Sequence, residues 1–140
     1  QNGKILACAH KILLPTYAVF DEMRYFEPGE TVARGLVNGV KVGISICEDI
    51  WLPETAKRQK EKGAELIINI SASPYRKGKF EQIENVLRQR WEENKIPIIY
   101  VNQVGAQDGI VYYGHSMYFK DGKAIRKCRD FEEDILVVEI

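Results

Sequence analysis

Residues 65–101 read ELIINISASPYRKGKFEQIENVLRQRWEENKIPIIYV, and this stretch decides the fold. Its first six residues, Glu65 to Ile70, are almost continuously apolar, the mark of a strand covered on both faces. Ser71 to Lys79 contains Pro74 and Gly78 and reads as a loop. Phe80, Ile83, Leu87 and Trp91 then recur at helical spacing with charges between them, which predicts an amphipathic helix over residues 80–94. Residues 96–101 (IPIIYV) form another buried strand.

The flanks extend the same alternation. Upstream, Asn38-Gly39 separates Thr31–Val37 from Val40–Ile46. Asn-Gly supplies the positive φ angles of a two-residue turn, so this is a β-hairpin. Pro53 opens a helix at its tolerated first turn; the helix runs through Ala56 to Lys62 and stops at Gly63. Its strongly charged face puts it on the surface. Further back, residues 12–20 carry Pro15 and form a loop, and residues 5–9 (ILACA) read as a short buried strand. Downstream, strand-like segments at 110–119 and 123–127 flank an Asp121-Gly122 turn, and Ile135–Ile140 closes the chain. Strands alternating with helices make an α/β layered fold. The 140 residues hold no repeat, low-complexity segment or internal linker and read as a single domain, 1–140.

Composition narrows the function. Twenty basic and 20 acidic side chains leave no net charge, so bulk electrostatics does not suit a nucleic-acid binder. With 45% hydrophobic and 29% charged residues the chain is not disordered. No apolar run approaches the ~20 residues that span a bilayer. Three widely spaced cysteines, Cys8, Cys47 and Cys128, form no C-x-x-C pair, so neither a disulfide framework nor zinc is expected. A reducing cytoplasm is the default location. The chain opens at Gln1 without methionine, as a piece of a longer protein or a processed product would.

Cys47 is the first candidate for chemistry. It ends a strand just before a helix starts, where backbone N–H groups can stabilise a thiolate or an oxyanion. The same placement also suits a small buried hydrophobe, the commoner fate of free cysteine. Cys8 and Cys128 lie in strand-like segments and look structural. The two histidines, His10 and His115, leave a Cys–His dyad possible but unmarked. The segment Lys11–Gly29 (KILLPTYAVFDEMRYFEPG) interleaves aromatic and charged residues, as a solvated loop or a polar substrate pocket would. A lysine near a thiol would stabilise a thiolate and a developing oxyanion.

Together these segments resemble the nitrilase or carbon–nitrogen hydrolase superfamily. The likeness is carried by Lys11-Ile12-Leu13-Leu14-Pro15, Tyr17 and Phe20-Asp21-Glu22-x-Arg24-Tyr25-Phe26. It continues through Gly43-Ile44-Ser45-Ile46-Cys47-Glu48-Asp49-Ile50-Trp51, Asn69 to Tyr75, Gly78-Lys79, Asn102 to Gly105 and Gly114 to Ser116. The FDExRYF and ICEDIW strings are specific and look most like the glutaminase domain of glutamine-dependent NAD synthetases.

The resemblance implies part of an α-β-β-α sandwich with a Glu–Lys–Cys triad. It makes Cys47 the nucleophile and Lys11 the triad lysine. Tyr17, Glu22, Ser73 and Lys79 fall where family members line the glutamine pocket, and the Glu48 amide would join Lys11 in holding the oxyanion. Glu22 also matches a supporting glutamate beside the triad. The triad glutamate itself lies well before the lysine in the family, and only ten residues, none acidic, precede Lys11 here. The chain therefore resembles the C-terminal half of the domain. The family implies no cofactor for the amidase step, with ATP and magnesium belonging to a synthetase domain. It implies glutamine, the other half-domain, the synthetase domain and a homo-oligomer as partners. Two other readings stay open at this point: an amidase acting on another amide, nitrile or carbamoyl compound, and a non-enzymatic scaffold.

Overall fold

Asn38 and Gly39 both take left-handed backbone, with φ of 48° and 86°. Their turn joins β1 (Ala33–Val37) to β2 (Val40–Ile46) as an antiparallel hairpin with Val37 opposite Val40. A short 3₁₀ turn (Cys47–Ile50) follows, and Pro53 then occupies the first turn of α1 (Pro53–Glu61). Next come β3 (Leu66–Ser71), α2 (Lys79–Asn94) and β4 (Ile98–Asn102). Both β2/β3 and β3/β4 pair in parallel, each through a helical crossover. The computed structural model describes residues 3–140.

The chain ends in two more hairpins. β5 (Val104–Gln107) and β6 (Ile110–Tyr113) form a separate two-stranded sheet. β7 (Met117–Lys120) and β8 (Lys123–Lys127) rejoin the main sheet, whose order is β1-β2-β3-β4-β7-β8.

Register decides which side chains share a face. Ile67, Ile98 and Phe119 lie in one row across β3, β4 and β7 and face the helices. They pack with Ile83 and Leu87 of α2, with Ala56 of α1, and with Ile50, Ile96, Tyr100 and Met117. The Gln59 side-chain amide donates to the Ile44 carbonyl at 2.9 Å, holding α1 against β2. The buried Arg90 guanidinium donates to the Trp51 carbonyl at 3.1 Å and pairs with Glu93 at 2.9 Å. That contact fixes α2 against the turn that carries Cys47.

The opposite face runs Ile44–Ile68–Ile99 and Ile46–Ile70–Val101. Here the expectation of strands covered on both faces fails: Ile70 is 51% exposed and Val101 41%. Their continuous apolarity suits burial, yet no helix or second sheet among the described residues covers Ile70 and Val101.

Other expectations also change. Residues 5–9 form no strand and pair with no neighbouring strand, and Ile5 is 91% exposed. The 110–119 segment is two strands in different sheets. Gly114 and His115 take consecutive positive φ values, 65° and 60°, which break an extended run. The β5–β6 hairpin escaped the sequence reading, although its Asp108-Gly109 turn (φ 52° and 75°) carries the same signal as Asn38-Gly39. Residues 135–140 form no strand, with Ile135, Val137 and Ile140 exposed. Cys8 lies exposed in coil and Cys128 sits just after β8, so neither is a strand-core residue.

Candidate active site

Two buried-edge features converge at the C-terminal end of β2. Cys47 follows the strand directly and has φ of 47°, an uncommon conformation for a residue with a Cβ. The parallel neighbour β3 brings Ser71 and Ala72 beside it. Beneath the turn, the Asn69 amide donates to the Ser45 hydroxyl at 3.1 Å and to the Cys47 carbonyl at 3.4 Å, and Ser71 donates to Asn69 Oδ1 at 2.8 Å.

The loop before β1 delivers Lys11. Its backbone carbonyl accepts from the Gly29 amide at 2.7 Å, and a Cβ on Gly29 would lie 2.8 Å from both the Cβ and the carbonyl oxygen of His10. Glycine is what lets the two segments close. The Lys11 ammonium contacts both oxygens of Glu22 at 2.6 Å, and Glu22 sits on a 3₁₀ turn (Glu22–Arg24). Lys11, Glu22 and Cys47 line one open cavity of about 670 Å³, together with Ser71, Asn102 and Tyr112.

Cys47 also lines a second cavity of about 350 Å³, whose walls include Tyr17, Glu48, Ser73, Arg76 and Lys79. Thus all seven residues singled out in the sequence surround two cavities that share Cys47. The Tyr17 hydroxyl donates to both Glu48 oxygens at 2.9 and 2.8 Å. Lys79 places its ammonium 3.9 Å from the centroid of the Trp51 ring. The Ser73 amide donates to Asn102 Oδ1 at 2.8 Å, tying the loop after β3 to the end of β4.

Burial sets the charge states. It pushes the Cys47 thiol up, against the ammonium of Lys11, the Ala72 amide and the Ser71 hydroxyl, which favour the thiolate; Glu48 adds to the rise. A lysine near the thiol was expected to stabilise a thiolate. It does act in that direction, but desolvation outweighs it. Burial and the Glu48 carboxylate raise the Tyr17 hydroxyl to about 12. Burial, followed by Arg76, lowers Lys79 to about 8.

The histidines belong elsewhere. His115 bonds Asp130 at 2.6 Å and Glu84 at 3.2 Å and stacks on Phe80, while His10 lies 3.9 Å from Cys8. Neither is bonded to Cys47. Sequence reasoning missed Phe20, which lines both cavities, the Trp51 contact with Lys79, and Asp49. Only Asp49 carried a signal, as an acid three residues beyond Ile46, the residue that caps the 3₁₀ turn. Among the described residues no three His, Cys, Asp or Glu side chains cluster as a metal site.

The carbon-nitrogen hydrolase profile matches residues 1–140. The glutamine-dependent NAD(+) synthetase of Aquifex aeolicus is 46% identical over 142 residues, covering all of this chain and 25% of that protein. This chain thus spans about a quarter of the length of such relatives. The structure of glutamine-dependent NAD+ synthetase from Acinetobacter baumannii, in complex with adenosine diphosphate, superposes with a TM-score of 0.84 at 35% identity, covering 89% of this chain and 24% of that one. An amidase from a Nesterenkonia species, with acrylamide added at its active-site cysteine, gives 0.73 at 25% identity over 86% of this chain and 47% of that one. With the sheet order, the cysteine turn and the profile in agreement along its length, the chain belongs to the carbon-nitrogen hydrolase family and forms part of a nitrilase-type sandwich.

Proposed function

We propose that this chain supplies the nucleophile and the lysine of the glutaminase part of a glutamine-dependent NAD synthetase. The observation that carries the reading is the pair of cavities meeting at Cys47. One holds the Lys11–Glu22 pair; the other offers Tyr17, Glu48, Ser73 and Lys79 to a polar, charged substrate. The similarity to NAD synthetases over the whole chain supports the same substrate.

In this reading, Cys47 Sγ attacks the side-chain amide carbon of glutamine and the thiol proton passes to a general base. By family resemblance that base is a glutamate outside these 140 residues. Lys11 and the Glu48 amide hold the oxyanion. The C–N bond breaks as the leaving nitrogen takes the proton, and ammonia departs from a Cys47 thioester. Water then attacks the thioester, releasing glutamate and restoring the thiol. Lys79 and Glu48 meet the charged end of glutamine in the second cavity.

ATP and magnesium act in the synthetase part of the protein, where ammonia amidates deamido-NAD. The residues here offer no phosphate cradle, so no step is assigned to either group. The open sheet face takes the other half of the sandwich, and copies of the protein assemble as a homo-oligomer. Three free thiols suit the cytoplasm.

The test is Cys47→Ala in the natural-length protein. Glutamine-dependent ammonia release should vanish while synthesis from added ammonia persists; surviving glutamine hydrolysis overturns the assignment. The likeness to an amidase favours a second reading, an enzyme for simpler amides. Acetamide hydrolysed faster than glutamine would support it.

A further inference from the structure

Asp49 is 1% exposed, yet its carboxylate is shared between two distant parts of the chain. Oδ1 accepts from the amides of Ile12 at 3.0 Å and Leu13 at 2.8 Å. Oδ2 accepts from the amide of Ile46 at 2.9 Å. The first two donors directly follow Lys11; the third directly precedes Cys47. Local turn capping accounts for Oδ2 only. It leaves unexplained why the other oxygen reaches across 36 and 37 residues to the lysine loop. A carboxylate is the group suited to this place. Each of its oxygens accepts and neither donates, and three amide donors compensate the charge removed from water.

We propose that Asp49 is a positioning residue that fixes the Lys11 ammonium relative to the Cys47 thiol, so that both act on the same carbonyl carbon and oxygen. This rests on the glutaminase reading of Lys11 and Cys47. Asp49 lines neither cavity and touches no substrate; it acts through the two backbone segments it joins. The groups that set the charge around Cys47 are Lys11, Glu48, Tyr17, Lys79, Tyr100 and Tyr113. Of these, Lys11 and Glu48 lie in the segments Asp49 joins, and of that pair Lys11 is the one that favours the thiolate.

The experiment uses the natural-length protein with Asp49→Asn. The variant is isosteric, but its amide nitrogen must face a backbone N–H at one end or the other. Glutamine hydrolysis is measured alongside the pH dependence of iodoacetamide alkylation at Cys47, followed by mass spectrometry of the Cys47 peptide. kcat should fall about a hundredfold, the scale of a misplaced reacting group. KM should stay within about threefold, since the second cavity is untouched. The alkylation midpoint should rise by about one unit as the ammonium draws away from the thiol. In a Lys11→Met background Asp49→Asn should add no further shift.

A purely structural role would give less folded protein with an unmoved alkylation midpoint in the folded fraction, and that result overturns the proposal. So does a wild-type midpoint together with wild-type kcat. If Asp49→Asn does not fold, Asp49→Glu decides: it keeps the charge but moves the oxygens, and normal kcat and midpoint in that variant also overturn it. Failure of the glutaminase reading is seen separately, as glutamine hydrolysis surviving Cys47→Ala, whereas the alkylation midpoint needs no turnover.

Discussion

Lys79 changes charge much nearer physiological pH than an ordinary lysine. Burial, then the neighbouring Arg76, brings its ammonium to about 8. Below that value the side chain is cationic; above it the amine is neutral and cannot pair with a carboxylate. If it meets the carboxylate of glutamine, KM should be flat below pH 8 and rise above it, with kcat affected less. Lys79→Arg should flatten the rise, because guanidinium keeps its charge across this range. Steady-state kinetics from pH 6.5 to about 9.5 checks this, and a rise of equal size in Lys79→Arg would assign it to another group. The residues that line the two cavities were legible as candidates because the FDExRYF and ICEDIW strings keep their order and spacing. Asp49 sat within one of those strings and still went unread as a link. Its partners are backbone amides 36 and 37 residues away, and a backbone amide looks the same at every position of a sequence.

At the level of elements, the loop bearing Lys11 depends on close approach at Gly29. Gly29→Ala places a methyl group 2.8 Å from the backbone of His10, so one segment must move. Because His10 adjoins Lys11, glutamine hydrolysis should fall tenfold or more, about the scale expected of a small displacement, while the thermal midpoint of the protein shifts by only a few degrees. Activity unchanged by this substitution would mean the loop adapts. The helices and the parallel strands were readable because each signal is local: an apolar run, a helical period, Asn-Gly, an N-terminal proline. Pairing is not local. Residues 5–9 and 135–140 have strand-like composition, but composition cannot supply a neighbour, and both remain unpaired. The 110–119 run reads as continuous because positive φ at His115 is an option few residues with a Cβ take.

Among the described residues the sheet is asymmetric, with helices on one side and a partly exposed apolar surface on the other, where Ile68 and Ile99 are half-buried and Ile70 and Val101 exposed. A half-exposed isoleucine replaced by aspartate ordinarily changes stability by about 0.5 kcal/mol or less. If, as proposed, a second layer covers this surface in the natural-length protein, Ile70→Asp should lower its thermal midpoint by several degrees. Differential scanning calorimetry would show it, and an unmoved midpoint would mean that the surface faces water. The apolar strands had pointed to cover on both sides, and Ile70 and Val101 do not have it here.

The carboxylate that links the first loop to the strand end has a bearing on how the protein is made. Its two oxygens bring together stretches that leave the ribosome more than thirty residues apart, and such long closures come late in folding. Without that closure nothing seats the Lys11 segment beside the turn that begins at Cys47. The lysine and the cysteine therefore share one site only in the assembled fold, and any change that loosens this seam separates the pair without touching either side chain.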